Sequence, residues 1–472
     1  MNKPEPGEPS EIGEPVAARL AEFARAFTLD SVPEGVVQRA KLSLLDAFGI
    51  GLAATTSDFG ACLATALAGL DADGRCPVIG MDLKLSPRDA AHLNGTLIHG
   101  LDFDDTHTES VVHTSASAAP TALVAGIMAD ASGREMLSAF VIASECASRI
   151  GAAARGGFHD KGFHPTGVVG AFGATLAAGY LGGLSLIQMT NAQGIVLSQA
   201  GGSMQFLDDG AWTKRNHPGW ASACALTATA MAKAGFLGPA APYFGRYGLY
   251  ALYTTDPDAV RAETIIGALG SRWEMSHVAF KPYPACHLVH AFADAALRLK
   301  QEHRFSVDDI RAIRCLIHPS EIPLVCEPES SKKKPQNAYD AQFSVHYIVS
   351  AALVRDRFGL AELSDDAITD PEILKLCRRV SYGSDPESGY PDFFSGVVEI
   401  ELANGTKLRH REQHNRGTAE NPLSADEIRA KFESNASTVL DQPRMEALEQ
   451  CILNLEQEPN LHMLTRLLCS RP

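Results

Sequence analysis

Between positions 101 and 107 the chain reads Leu101-Asp102-Phe103-Asp104-Asp105-Thr106-His107, which puts three carboxylates into four positions. Carboxylates this close raise one another's pKa unless cations or a metal pair with them. Oxygen ligands of this kind suit magnesium. A diphosphate-binding aspartate motif would want a further acid beyond Asp105, and position 108 is Thr. Helix capping by Asp105 or Thr106 is the structural alternative. Four stretches share a second pattern. Asp102 to His113 runs into Ser115, Ser117 and Pro120. His164-Pro165-Thr166 opens a Gly/Ala-rich run. Lys214-Arg215-Asn216-His217-Pro218 precedes an apolar run. Lys281-Pro282-Tyr283-Pro284 is followed by His287 and His290. Each is expected to set a cation-capable side chain at a helix N-terminus. Backbone N–H groups and the helix dipole favour an anion there and disfavour a cation. One such stretch alone reads better as a surface turn. Four together point to an anionic partner that offsets the clash. The other histidines, His99 among them, read as structural or surface residues.

The elements that must position these residues show in the periodicity. Val16, Leu20, Phe23, Ala24 and Phe27 recur at helical spacing, as do Val37, Ala40, Leu44 and Phe48. Ser31-Val32-Pro33-Glu34 reads as a capping box with Pro in the first turn. From Thr114 to about Phe236 the chain is rich in Ala and Gly, which lets helices approach closely. Gly167, Gly170 and Gly173 belong to that packing. A phosphate loop is the other reading, but no strand pattern precedes them. After about residue 270 alternation appears, first from Ala312 to His318. Val398, Ile400 and Leu402 then lead through Asn404-Gly405, expected as a type I′ turn, into Thr406 to His410. Helical stretches at 288–300 and 344–357 lie between. Ser424-Ala425-Asp426-Glu427 caps a last helical region.

The fold class is therefore mainly α. A large all-helical domain from both chain ends, 1–270 with 406–472, is expected to carry an inserted α+β lid domain, 271–405. The 472 residues hold 56 acidic and 41 basic side chains, a net charge of −15. That charge repels phosphate backbones, which speaks against nucleic acid. The ten cysteines are scattered, which suits a reducing, cytoplasmic setting and gives no zinc or iron–sulfur pattern. No membrane span is expected. The stretch Met1 to Pro9 reads as a Pro/Glu-rich arm, and Lys332-Lys333-Lys334 as a solvated loop.

At the same residues the sequence resembles the MmgE/PrpD family. The resemblance rests on His99-Gly100-Leu101-Asp102-Phe103-Asp104-Asp105-Thr106 with His113 downstream, and on Gly162-Phe163-His164-Pro165-Thr166-Gly167. It continues in Lys214 to Gly219, Lys281 to Pro284, and Ala341-Gln342-Phe343-Ser344-Val345-His346-Tyr347. His107 departs from it, standing where many decarboxylase-like members carry Trp. The resemblance implies a homodimer with no organic cofactor and no metal. It implies a lyase for a small di- or tricarboxylate, either 2-methylcitrate dehydratase-like or cis-aconitate decarboxylase-like. An epimerase on the same fold and a non-catalytic carboxylate-binding protein are the alternatives. Asp102, Thr106, His113, His164, Lys214, Lys281 and Tyr347 would form the site. Lys214 and Lys281 would clamp carboxylates, and His113 or His164 would move a proton. Tyr347 would donate a proton or hold a carboxylate. Asp102 would orient a histidine or lysine, and Thr106 would bond substrate. Arg215, His217 and His287 follow in rank.

Overall fold

The computed structural model describes residues 13–70, 74–208, 210–390 and 393–469, so the Met1 to Pro9 arm lies outside the described residues. The chain is mainly α and divides into two compact units, Met1–Val278 with Ser424–Pro472, and Ala279–Leu423.

The first segment of the larger unit supplies α1 (Gly13–Ala26), α2 (Glu34–Ala54), α3 (Pro87–His99), α4 (Thr114–Ala129), α5 (Gly133–Ala152), α6 (Pro165–Leu181), α7 (Leu186–Leu197) and α8 (Thr213–Lys233). Ser31 does not cap α2. It closes a short 3-10 turn, and its hydroxyl donates to Thr28 O at 2.7 Å. Helix α6 is buried along almost its whole length and packs on α4, α5 and α8. Its small residues permit this. A Cβ on Gly173 would lie 2.3 Å from Ala143 O, and one on Gly167 2.4 Å from Gly201 O. The glycines at spacing three are thus packing positions. The closest crossing joins α3 and α8. A Cβ on Gly219 would sit 2.0 Å from His92 O.

The smaller unit holds α9 (His290–His303), β1 (Ile310–Ile317), α10 (Val345–Arg355), β2 (Val380–Ser384), β3 (Gly396–Leu402) and β4 (Lys407–Glu412). The sheet order is β2-β1-β3-β4, with β1 and β2 parallel and the other pairs antiparallel. Helix α9 covers β3 and β4 and packs against α10. The unit extends to residue 423, past the expected 405, because β4 hydrogen-bonds along β3 and cannot be parted from it. The connection is not a type I′ turn. Gly405 N donates to Leu402 O at 2.9 Å, and Gly405 alone in the loop takes a positive φ, +86°. This is a type I turn closed by a bulge glycine. Lys332 is also not a solvated loop residue, since its ammonium donates to Leu324 O and Phe343 O at 2.8 Å.

The chain then returns to the larger unit with α11 (Ala425–Ala436) and α12 (Gln442–Leu453). Ser424 and Glu427 form the expected capping box, and α11 packs on α2. No single helix among the described residues is long and apolar enough to cross a membrane.

Because backbone fills the space beside Gly219, Gly219→Ala should force α3 and α8 apart. The expected loss is at least about 1–3 kcal/mol, the range for overpacked cores. Denaturant unfolding checks this; unchanged stability would show that the crossing can relax.

Candidate functional site

Three helix starts in the larger unit carry the side chains that the sequence singles out. His113 is the residue before α4 and His164 the residue before α6, while Lys214 and His217 lie in the first turns of α8. The aspartate-rich loop that follows α3 runs beside them, and its three carboxylates have separate partners. Asp102 Oδ2 accepts from Lys214 Nζ at 2.9 Å, with both side chains nearly buried (7% and 12% exposed). Asp102 holds a φ of +53°, a strained conformation that Asp tolerates better than most residues. Asp104 Oδ2 lies 2.8 Å from His99 Nδ1 and 3.6 Å from His113 Nδ1. Asp105 Oδ1 accepts from Ser115 N at 3.0 Å, and Oδ2 accepts from the Ser115 hydroxyl. Asp105 thus satisfies a backbone donor at the start of α4, as the capping alternative requires. Burial nevertheless pushes its carboxyl up to about 7 against those two bonds.

The histidines form one cluster. The His99 ring centroid lies 4.7 Å from that of His113 and 5.4 Å from that of His164. His164 Nδ1 meets His217 Nδ1 at 3.1 Å. His113 Nδ1 lies 2.9 Å from Asp105 O and 3.2 Å from Thr106 Oγ1, and its backbone N–H donates to Thr166 Oγ1 at 3.1 Å. Burial above all drives His164 well below its usual pKa, and nearby His99, His217, Lys214 and His113 add to the shift. His217 is pushed down to about 4 by burial, then by His99 and Lys214. His159 also falls to about 4, through burial and then Lys214. Burial and the Lys214 ammonium thus both disfavour the charged forms of His159, His164 and His217.

The remaining predicted residues have other surroundings. The Arg215 guanidinium lies over the Phe59 ring, 4.8 Å from its centroid. Lys281, His287 and Tyr347 belong to the smaller unit. Lys281 is buried but does not open a helix. It lies in an irregular segment ahead of the 3-10 turn His287–Val289 and α9. Gln342 grips that segment, donating from Nε2 to Pro284 O at 2.9 Å while its own carbonyl accepts from Cys286 N at 3.0 Å. His287 is buried with its ring 4.9 Å from that of His290. Tyr347 corrects its expected role. Its side chain belongs to the apolar core of the smaller unit, and its hydroxyl donates to Glu362 O at 2.6 Å.

Three contributors escaped the sequence reading. His99 was set aside, yet it stands at the centre of the cluster, and its Asp104 partner five residues on was the available signal. Thr166 stands in the sequence only as part of a motif, yet its Oγ1 accepts from His113 N. Lys431 of α11 donates to Phe103 O at 2.8 Å, pairs with Asp46 at 2.8 Å and lies 3.8 Å above the Phe103 ring. Burial raises the Asp46 carboxyl's pKa, and Lys431 counters it. His107 is buried between Ser110 Oγ at 2.9 Å and Glu274 Oε2 at 3.3 Å.

Fold and site together define a mainly helical protein, in two units, with a lysine–histidine cluster beside an aspartate-rich loop. The chain belongs to the MmgE/PrpD family, whose N-terminal domain matches residues 18–262 and whose C-terminal domain matches residues 283–457. Among curated proteins it is similar to the cis-aconitate decarboxylase-like protein oryM of Aspergillus oryzae, 26% identical over 96% of this chain and 97% of that one. It is also similar to the cis-aconitate decarboxylases of Aspergillus terreus (27% identical, 96% of each chain) and Homo sapiens (28%, 96% of this chain and 94% of that one).

A carbonyl oxygen only accepts, so the 2.9 Å contact with Asp105 O requires a proton on His113 Nδ1. Long-range 1H–15N correlation should show a protonated Nδ1 on His113. The opposite tautomer would remove this contact from the site.

Proposed function

We infer that this chain is a lyase acting on a small di- or tricarboxylate, and that it decarboxylates a cis-aconitate-like acid. The observation that carries the reading is the Asp102–Lys214 pair of the larger unit set beside buried His113, His164 and His217, with burial lowering the pKa of His164 and His217. The names of the relatives favour decarboxylation over dehydration.

The chemistry follows from charge. Loss of carbon dioxide breaks a C–C bond and leaves its electron pair on carbon, spread through the double bond toward a remaining carboxylate. An ammonium fixed in place before the reaction stabilises that charge without reorganising. Asp102 holds Lys214 in one position at 2.9 Å. A proton must then reach carbon, and an imidazolium of His113 or His164 supplies it. Of the two, His164 is held neutral by burial before substrate arrives. A polyanion entering beside them favours their charged forms, so substrate brings its own proton donor into being. Thr106 fixes the His113 ring from one side, and His217 backs His164.

A panel of cis-aconitate, 2-methylcitrate, citrate and tartrate-like acids, with products read by mass and NMR, tests the reaction class. Carbon dioxide release supports the reading. Water loss alone would replace it with a dehydratase, and a change of optical rotation alone with an epimerase. Binding without turnover would leave a carboxylate-binding protein.

Lys214→Ala should lower kcat/KM at least tenfold, corresponding to ~1.4 kcal/mol of transition-state stabilisation. Unchanged kinetics in the folded variant would remove Lys214 from the mechanism.

Binding of unreactive tricarballylate at pH 7 should take up protons. The free protein holds His164 and His217 with lowered pKa, hence neutral, and the bound anion raises them. Calorimetry in buffers of different ionisation enthalpy measures the uptake; zero uptake would contradict it.

A further inference from the structure

One ring nitrogen from each of His99, His113 and His164 lies within 4.8 Å of the others, and all three side chains are buried. This alone would describe any crowded histidine cluster. Two further observations set it apart. His99 Nε2 is buried with no hydrogen-bond partner, while Nδ1 of the same ring is held by Asp104 Oδ2 at 2.8 Å. A buried polar atom of this kind lacks what it is built to meet. The carboxylate behind the ring holds Nδ1 in place, as carboxylates do behind metal-bound histidines. His113 is fixed in the same sense, since Asp105 O takes its Nδ1 proton. The rings of His99 and His113 are thus both held through Nδ1.

We propose that His99, His113 and His164 form a trihistidine site for a divalent transition-metal ion of the zinc class, with one coordination position left open. Zinc bound tetrahedrally by imidazole wants its ligand nitrogens about 3.4 Å apart, from Zn–N distances of about 2.0–2.1 Å. Ring nitrogens now within 4.8 Å of one another would have to draw together by up to about 1.4 Å to reach that spacing. Neutral imidazoles suit zinc, copper and nickel and do not suit magnesium or calcium. The proposed reaction does not use the ion. Resting on the role given above to His113 and His164, the ion stops turnover, because it occupies the lone pairs that would accept and deliver the proton.

The test uses the full chain, stripped with a chelator and titrated with Co2+. One equivalent should bind with the visible bands of tetrahedral cobalt, and Zn2+ should displace it. His99→Gln should weaken binding at least ~10-fold, since it removes a ligand and the ring that Asp104 orients. His164→Gln is the second variant should the first not fold. No cobalt bound by the wild-type protein, or equal affinity in the folded variants, would overturn the site. Zn2+ should also abolish turnover in the same titration. Zinc bound at these histidines with turnover intact would leave the metal site standing and remove His113 and His164 from proton transfer.

Discussion

Where α3 crosses α8, backbone meets backbone. The space beside Gly219 is filled by His92 O, and that beside Gly95 by Gly219 itself. Only glycine permits this approach, and the site depends on it. Helix α3 delivers His99 and the aspartate-rich loop, while α8 delivers Lys214 and His217. A side chain at the crossing would separate Asp102 from Lys214 and open the histidine cluster to water. The Ala/Gly-rich composition of this half of the chain is thus a condition for its chemistry, since close helices exclude solvent and a dry interior keeps imidazoles neutral.

The same dryness makes every charge expensive, so the loop separates its carboxylates. Asp102 answers an ammonium, Asp104 answers imidazoles, and Asp105 answers a helix start. Lys431 braces the Phe103 carbonyl between them from α11. Burial of a charge pair is weak evidence of stability, because desolvation offsets attraction. The arrangement is better understood as a device for orientation. Asp102 holds the Lys214 ammonium, while Asp104 and the Asp105 carbonyl hold Nδ1 of His99 and of His113.

Much of this was legible in the residue order, and the failures have specific causes. The motifs at Asp102, His113, His164 and Lys214 were visible because polar residues interrupt an otherwise small-residue background. The capping box at Ser424 was visible because both partners are local. Ser31 offered the same signature and failed, because its hydroxyl closed a preceding turn. His99 looked structural because it ends an ordinary helix; only the bend at Asp102 brings Asp104 back to it. Tyr347 carried a family motif, yet its hydroxyl serves a core carbonyl. The contact of Lys431 with Asp46 spans 385 positions, beyond any local pattern.

That long-range contact bears on how the protein is made. On the ribosome, α2 and its Asp46 emerge early, but Lys431 follows only after the whole smaller unit has been synthesised. At the usual pace of elongation the segment Ala279–Leu423 alone takes about 7–30 s. Through that interval Asp46 and the surface of α2 that α11 will cover wait without their partner. The smaller unit, contiguous in the chain, can finish folding first. The larger unit is completed last, so chains interrupted before residue 431 would lack the cation that answers the buried Asp46.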